Sequence, residues 1–318
     1  MKRRTPKLPK YFERLSWTLA GLMVIASLLG LLGKLHWTLD LLSHFRVQYF
    51  QLALLLAGIC LWVRRNKCAV ALICLAAFNY AFILPLYMGK PPPARAEQPP
   101  VRAMLLNLNT SNGHTEKVLK AIASADPDLV VLEEVTPIWA FKLSNLSETY
   151  PHHIIEPRDG RFGIILLSKQ PLSQSKVVAI GSAGTPSILA TVHLAQGACT
   201  IIATHPAPPL GAEYARHRNN QLAALPELVK AQKHPVLLIG DLNTSPWSPH
   251  FTELIRASGL KNSMKGFGFQ PTWPSNSPFL RIPLDHVLHS PKITIHNRLI
   301  GGDVGSDHFP VIIDFSVN

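Results

Sequence analysis

The sequence predicts a chain in two parts, an α-helical transmembrane anchor followed by an α+β domain in which two β-sheets pack face to face. Three apolar runs occupy the first third of the chain, and short β-branched runs separated by polar turns follow from Val101 onward. The charge changes at the same point. Residues 1–102 contain 14 of the 31 lysines and arginines with 3 acidic residues, whereas residues 103–318 contain 17 basic and 16 acidic residues. The net charge of +12 therefore indicates membrane topology before nucleic-acid binding.

The apolar runs have the length of membrane-spanning helices. About 20 apolar residues cross the roughly 30 Å of bilayer hydrocarbon, and the runs cover residues 15–33, 47–63 and 68–87. A cleaved signal peptide is the alternative for the first run, but that run is longer than the ~7–15 apolar residues of such peptides. We therefore predict a membrane anchor of about three helices over residues 1–88, placed in the plasma (cell) membrane.

The basic residues predict the orientation of this anchor. The N-terminal tail and the turn at residues 64–67 are the loops richest in Lys and Arg, and such loops stay in the cytoplasm. Three crossings then place the C-terminal domain outside the cytoplasm. Gln48 and Gln51 interrupt the start of the second run, and without that span the C-terminal domain would lie in the cytoplasm.

Residues 89–100 form a proline-rich linker, which predicts an extended, semi-rigid tether. After it we predict β-strands near residues 104–109, 129–134, 163–167, 188–193, 200–205, 236–241, 284–288 and 311–315. Helices are predicted at residues 114–125, 212–231 and 249–258, the second with a kink at Pro226. Many strands with few helices between them indicate a two-sheet sandwich.

Polar residues collect at the ends of these strands, where an apolar core would reject them. The set is Asn107, Asn109, Glu133, Glu134, His205, Asp241, Asn243, Asp285, His286, Asp307 and His308. Charged groups are seldom buried unless they are paired or bind a metal. We therefore expect one convergent polar site, and its carboxylate and amide oxygens favour a hard divalent ion such as Mg²⁺, with Mn²⁺ as the second choice.

Five of these segments, taken in order, resemble a known superfamily. They are Leu106-Asn107-Leu108, Leu132-Glu133-Glu134-Val135, Thr204-His205-Pro206, Gly240-Asp241-Leu242-Asn243 and Ser306-Asp307-His308-Phe309-Pro310. Together they resemble the endonuclease/exonuclease/phosphatase superfamily, which includes pancreatic-type deoxyribonucleases, apurinic endonucleases, inositol polyphosphate phosphatases and neutral sphingomyelinases. The resemblance covers residues 101–318 and implies a four-layered α/β sandwich with the site at the mouth of two central sheets.

The resemblance also implies metal ligands. Glu134 matches the metal-binding glutamate, Asn107 the asparagine beside it, and Asp307 a further ligand. Many members have glutamine where this chain has Glu133, so either glutamate could be the ligand.

The same resemblance implies catalytic roles. Asp241 matches the aspartate that orients or activates the attacking water, and Asn243 matches the residue that positions the phosphate. His308 matches the histidine that contacts the scissile phosphate, and Asp285 the aspartate that holds it. His205 matches a second histidine that assists the leaving group.

These observations predict a membrane-anchored, Mg²⁺-dependent phosphoesterase that uses an activated water, with a phospholipid, polyprenyl phosphate or other bilayer-associated ester as substrate. An extracytoplasmic nuclease acting on DNA or RNA is the alternative, and the near-neutral domain argues against it. A binding protein without catalytic activity is a third hypothesis. No protein partner is evident from the sequence. Arg216 and Arg218, on the predicted helix after His205, are expected on a solvated face.

Overall fold

The structure is a computed structural model, and it describes residues 10–89 and 99–318. The chain divides into two compact units. The first comprises Met1–Pro85 with Trp247–Pro249, and the second Leu86–Pro246 with His250–Asn318. The first nine residues of the basic tail and residues 90–98 of the predicted linker lie outside the described residues, so the tether stays a prediction.

The first unit is helical. Its α-helices are α1 (Lys10–Leu29), α2 (Trp37–Ser43), α3 (Arg46–Trp62) and α4 (Asn66–Ile83), with short 3-10 helices at Gly30–Leu32 and Leu84–Tyr87. Small and apolar side chains pack these helices together, among them Ala53, Cys60 and Leu72. Other apolar side chains, such as Leu22, Leu55 and Val70, are exposed. Exposed apolar surface on this scale suits contact with lipid better than contact with water.

Two of these helical segments are long and apolar enough to cross a membrane, Arg14–Leu32 and Asn66–Tyr87, with mean hydropathies of 2.0 and 2.2. The predicted second span lies in α3, which forms with α2 a pair bent by 57°. Within residues 10–89 and 99–318, length and composition therefore allow two spans, or three if the bent pair crosses as one.

The second unit contains two six-stranded sheets. Its strands are β1 (Val101–Asn107), β2 (Leu129–Glu133), β3 (His152–Glu156), β4 (Ile164–Ser168), β5 (Leu172–Ala179), β6 (Pro186–Leu194), β7 (Gly197–Thr204), β8 (Val236–Asp241), β9 (Lys261–Asn262), β10 (Asp285–His289), β11 (Ile293–Ile300) and β12 (Val311–Val317). The strand orders are β11-β12-β1-β2-β4-β3 and β5-β6-β7-β8-β10-β9.

Helices cover the outer faces of both sheets. The four helices of this unit are α5 (Thr115–Ala125), α6 (Pro137–Lys142), α7 (Ala212–Lys230) and α8 (Pro249–Ser258). The central core lies between the sheets, where Leu105 and Val131 of one sheet meet Ile201 of the other. A second core joins α5 and α6 to the first sheet, and a third joins α7 and α8 to the second. The predicted four-layered sandwich is confirmed.

The strand predictions are confirmed for the interior of both sheets, but they omit the edge strands. All eight predicted strands are present, and the four strands that the sequence did not predict, β3, β5, β9 and β11, are the four edge strands. Helix α7 continues through Pro226. Strand β1 ends at Asn107, and Asn109 adopts a left-handed backbone with φ of 59°. The strand predicted over residues 104–109 therefore ends two residues earlier than predicted, and Asn109 lies outside it.

Candidate active site

The strand pairing brings the predicted polar residues to one edge of the two sheets. Parallel strands β1 and β2 place Asn107 opposite Glu133. In the second sheet, antiparallel strands β8 and β10 place Asp241 opposite Asp285. His205 follows β7, the parallel neighbour of β8. The site thus assembles from strand ends, as the sequence predicts.

The two sheets touch at Gly240. A Cβ added there would lie 1.9 Å from the carbonyl oxygen of Thr204 and 2.8 Å from Oε1 of Glu133, so no larger residue fits. The close approach lets the backbone N–H of Asp241 donate to Oε2 of Glu133 at 2.9 Å. Burial and the nearby Asp241 raise the pKa of Glu133 well above its usual value. Glu133 therefore connects the first sheet to Asp241 of the second.

His308 lies between two aspartates. Its Nδ1 bonds Oδ2 of Asp285 at 2.8 Å, and its Nε2 lies 3.6 Å from Oδ2 of Asp241. Burial opposes a charge on the ring, but the Asp285 and Asp241 carboxylates outweigh it and raise the pKa of His308 to about 10. Asp285 is buried too, and the His308 charge and hydrogen bond still lower its pKa below the usual value. His308 is thus a cation at neutral pH, with Asp285 as its anionic partner.

Asp241 has a different electrostatic environment. Burial raises its pKa to about 7, against the opposing effect of the His308 charge. Its Oδ1 accepts from the backbone N–H of Asn243 at 2.9 Å, and its Oδ2 accepts from Nδ2 of Asn107 at 3.2 Å. A carboxylate with a pKa near neutrality is matched to the work of a general base.

His205 is the second histidine of the site, and it is neutral. Burial lowers its pKa to about 4, with the His308 charge acting in the same direction. Its Nε2 lies 3.2 Å from Nδ2 of Asn243 and 3.6 Å from Oδ2 of Asp241. Asn243 also donates to the carbonyl oxygen of Pro206 at 2.9 Å. The site therefore holds one charged and one neutral imidazole, each with its Nε2 3.6 Å from Oδ2 of Asp241.

Glu134 and Asn107 lie together beside Asp241. Glu134 has a left-handed backbone with φ of 57°, which turns the chain immediately after β2. Its Oε1 lies 3.4 Å from Nδ2 of Asn107, and its Oε2 accepts from the backbone N–H of Thr110 at 3.0 Å. Burial raises the pKa of Glu134. The amide of Asn107 thus has carboxylates of both Glu134 and Asp241 as neighbours.

Asp307, the third predicted metal ligand, uses both of its oxygens elsewhere. Oδ1 accepts from Nδ2 of Asn109 at 2.7 Å, and Oδ2 accepts from Nε1 of Trp273 at 3.0 Å. These two bonds fix the loop that carries His308. Among the described contacts of Asp307, none joins it to Glu134 or Asn107.

Two buried arginines stabilise the loops of the site, and the sequence analysis missed their roles. The expected solvated position of Arg218 was wrong, because the side chain is fully buried and Nη1 donates to the carbonyl oxygen of Asn243 at 2.9 Å. Arg216 is exposed, as predicted. Arg298 is buried as well, and Nη2 donates to the carbonyl oxygen of Asp285 at 3.2 Å. The available signal for the burial of Arg218 was the helical spacing in α7, because Ala215 and Leu222, one turn to either side of Arg218, are also buried.

The donor set fits a divalent cation. Four carboxyl groups, those of Glu133, Glu134, Asp241 and Asp285, converge here, and burial raises the pKa of the first three. A raised pKa means that burial disfavours the ionised carboxylate and that neighbouring groups of the protein do not fully offset this cost, which a bound cation would do. Asp241, Asp285 and His308 bring ligand atoms within 4.8 Å of one another, but the His308 ring is protonated and bonded to Asp285. Glu134 and Asn107 are therefore the better oxygen ligands.

Comparison with known proteins agrees with this geometry. The sequence profile of the endonuclease/exonuclease/phosphatase family matches residues 104–308. The chain belongs to this family. Membership makes it a hydrolase of ester bonds that uses a divalent metal, in agreement with the donor set described above.

Several solved structures share the fold. The human Nocturnin catalytic domain with bound sulfate is 20% identical with a TM-score of 0.58, over 70% of this chain and 96% of that domain. The Neisseria 3′ phosphatase NExo, bound to a product DNA hairpin, is 19% identical with a TM-score of 0.57, over 68% of this chain and 99% of that one. A functionally unknown conserved protein of Enterococcus faecalis has a TM-score of 0.58 at 16% identity, over 69% and 100% of the two chains.

A sequence relative covers a shorter segment. A UPF0294 protein of Vibrio campbellii is 28% identical over 100 residues, which are 31% of this chain and 34% of that protein. The chain thus matches about a third of that relative's length.

Proposed function

We propose that the chain is a membrane-anchored, Mg²⁺-dependent phosphoesterase in which Asp241 activates a water for attack on a phosphate ester. The observation that supports this most is the His308 imidazolium, bonded to Asp285 at 2.8 Å and lying 3.6 Å from Asp241. Phosphate esters resist attack because their oxygens carry negative charge, so catalysis needs positioning and charge neutralisation. A buried cation next to a carboxylate of near-neutral pKa meets both needs.

Each side chain then has a role of its own. Asp241 accepts the proton of the water, since its pKa of about 7 suits a general base. His308 donates an N–H toward a phosphoryl oxygen, and its positive charge offsets the charge that develops there. Asn243 positions the phosphate, while neutral His205 lies beside it to assist the leaving group. When bound by Glu134 and Asn107, Mg²⁺ would supply Lewis-acid polarisation of the phosphoryl group.

A lipid-linked phosphate ester is the substrate class that we propose. Two or three helices of the first unit could cross a membrane, and the 17 basic and 16 acidic residues from position 103 onward give the catalytic part little general attraction for polyanions. The basic turn at residues 64–67 supports a cytoplasmic N-terminus and a catalytic part outside the cytoplasm. A C-terminal reporter fusion tests this sidedness, and a reporter that is active only in the cytoplasm would reverse it.

The activity is tested on the full chain in detergent micelles or vesicles. Wild type, Asp241→Asn and His308→Ala are compared on lipid phosphates, soluble monoesters, soluble diesters, DNA and RNA, with and without Mg²⁺. His193→Ala is the matched control, because this exposed histidine bonds Ser173 on the outer strands of the second sheet. We expect Mg²⁺-dependent turnover of lipid phosphates that the two site variants abolish and the control keeps. Equal turnover of soluble and vesicle-borne esters would count against a lipid substrate.

The second candidate function is an extracytoplasmic nuclease. Its support is the shared fold with the Neisseria phosphatase that was solved with a product DNA hairpin. This reading predicts Mg²⁺-dependent cleavage of DNA or RNA whose rate falls steeply with salt. The absence of any degradation at low salt would remove it.

A further inference from the structure

A depression of about 530 Å³ lies beside His205, and none of the residues that line it has a role in the site described above. Phe162 connects the two places, because it lines the depression and its ring centroid lies 6.1 Å from that of His205. Ala207, two residues after His205, lines it too. We call this depression the side pocket. A group esterified to a phosphate at the catalytic site would therefore have the side pocket within reach.

The floor of the side pocket is rigid. Thr185 lines it and donates to Oε1 of Gln221 at 3.2 Å, and Nε2 of Gln221 donates to Thr204 at 2.8 Å. Thr204 immediately precedes His205, and its hydroxyl also bonds Ser187 at 2.8 Å. All four of these residues are buried. A buried hydrogen-bond chain of this kind keeps the pocket in a fixed position relative to the catalytic histidine.

The walls combine aromatic rings with hydrogen-bonding groups of both kinds. Phe162 and Tyr214 supply the rings, Asp159 and Glu213 supply acceptors, and Arg158 and His217 supply donors; all six line the pocket. The Arg158 guanidinium already pairs with Glu156 at 2.5 Å. His217 is held by Ser182 at 3.1 Å through Nδ1, and its Nε2 lies 3.7 Å from Glu213.

This lining selects against one class of ligand and for another. A second phosphate would meet two carboxylates and an arginine whose charge Glu156 already offsets, so a polyanion is disfavoured. Hydroxyl groups both donate and accept, so they can pair with carboxylates and with the arginine and histidine at once. The carbon face of a ring-shaped polyol can pack on an aromatic side chain.

We propose that the side pocket binds a neutral, hydroxyl-rich group attached to the scissile phosphate and so determines which ester the site accepts. This inference rests on the proposed phosphoesterase function. The same chemistry has two sources, the glycerol or inositol headgroup of a lipid and the ribose of a nucleotide.

The test compares esters that differ only in this group. The full chain in detergent with Mg²⁺ is given bis(p-nitrophenyl) phosphate, which carries no polyol, and the p-nitrophenyl phosphodiesters of glycerol, inositol and uridine. The corresponding monoesters, with p-nitrophenyl phosphate as their reference, are measured by phosphate release. The pocket variants are Glu213→Gln and Tyr214→Ala, both at exposed positions of α7. The control is Arg216→Gln, an exposed position of the same helix outside the pocket.

We expect each pocket variant to raise KM for the polyol esters by about tenfold, the effect of losing roughly 1.4 kcal/mol of hydrogen bonding or ring contact. Turnover of the esters that carry no polyol stays unchanged, and Arg216→Gln behaves as wild type. Glycerol or inositol esters affected more than uridine esters would identify a lipid headgroup, and the reverse would identify a nucleotide.

Two results would overturn the proposal, and they differ from failure of the proposed function. Equal losses on esters with and without a polyol would mean that the variants disturb the catalytic site in general, and unchanged kinetics on every ester would mean that the pocket contacts no substrate. If wild type hydrolysed none of the esters, with either Mg²⁺ or Mn²⁺, the phosphoesterase function itself would fail and this inference with it.

Discussion

Replacing Asp285 by asparagine tests the charge on His308, on which the proposed chemistry depends. In wild type the aspartate bonds Nδ1 at 2.8 Å, and against the effect of burial it raises the pKa of His308 to about 10 together with Asp241, so the ring stays protonated through pH 9. Asparagine keeps the shape but removes the negative charge, and the pKa of His308 then falls toward its ordinary value of about 6.5. At pH 8 the protonated fraction drops from about 99% to about 3% by this reasoning. We therefore expect activity at pH 8 to fall about 30-fold.

The decisive readout is the pH profile of kcat. Wild type should show no alkaline loss below pH 9, whereas the ratio of Asp285→Asn kcat to wild-type kcat should fall between about pH 6 and 8, since dividing by wild type at each pH removes the titration of Asp241 that the two proteins share. The measurement is made at saturating Mg²⁺, so that a change in metal affinity does not enter, and circular dichroism checks that the variant folds. A variant profile that runs parallel to that of wild type would refute the assignment of the charge to His308.

The same pair makes a prediction for stability. A raised pKa means that His308 stabilises the fold fully below its unfolded pKa of about 6.5 and that this contribution is lost as the pH rises through about 10. Thermal unfolding of wild type between pH 7 and 10 should therefore show a decline in Tm that Asp285→Asn lacks.

Three further variants examine the supports of the site. Arg218→Gln should lower kcat by tenfold or more with little change in KM, because the buried arginine fixes the Asn243 carbonyl at 2.9 Å, while exposed Arg216→Gln is neutral in steady-state kinetics. Glu133→Gln keeps an acceptor for the backbone N–H of Asp241 and should retain activity within about threefold. Glu133→Leu leaves that N–H without a partner and should lower the free energy of unfolding by about 1–3 kcal/mol in chemical denaturation. Glu134→Gln should weaken Mn²⁺ binding in calorimetry by at least the roughly 10- to 100-fold that loss of a residue bonded to a metal ligand costs. Equal weakening by Asp307→Asn would contradict the role given to Asp307, which is to fix the loop that carries His308.

The sequence predicts those strands of the fold whose two faces are both buried. Interior strands such as β2, β4 and β8 are short runs of Val, Ile and Leu that are buried at every position. The edge strands lack this signal. β5 reads Leu-Ser-Gln-Ser-Lys-Val-Val-Ala with four consecutive exposed positions, and β9 contains two residues. Because one side of an edge strand faces solvent, its residues resemble those of a polar loop.

The same physics decides which site residues could be recognised. Asp241 and His308 are out of place next to apolar strands, so residue type alone marks them. For Arg218 the residue type gives no such mark, and its burial is indicated instead by the helical spacing of Ala215 and Leu222 in α7. Glu133 presents a related difficulty. Its role follows from the 2.9 Å bond to the backbone of Asp241, a contact between two sheets that no local pattern encodes.

Glu133 also helps to explain the raised pKa of Asp241, the proposed general base. The bond from the first sheet holds the backbone of Asp241 where the two sheets approach closely at Gly240. The carboxyl group is buried there, and burial raises its pKa to about 7. A buried carboxyl without a neighbouring cation would remain protonated and could not take a proton from water. His308, charged through its bond to Asp285, prevents that outcome by opposing the effect of burial. The proton affinity of Asp241 is therefore a balance between the packing of two sheets and one ion pair, and either can be changed separately by mutation.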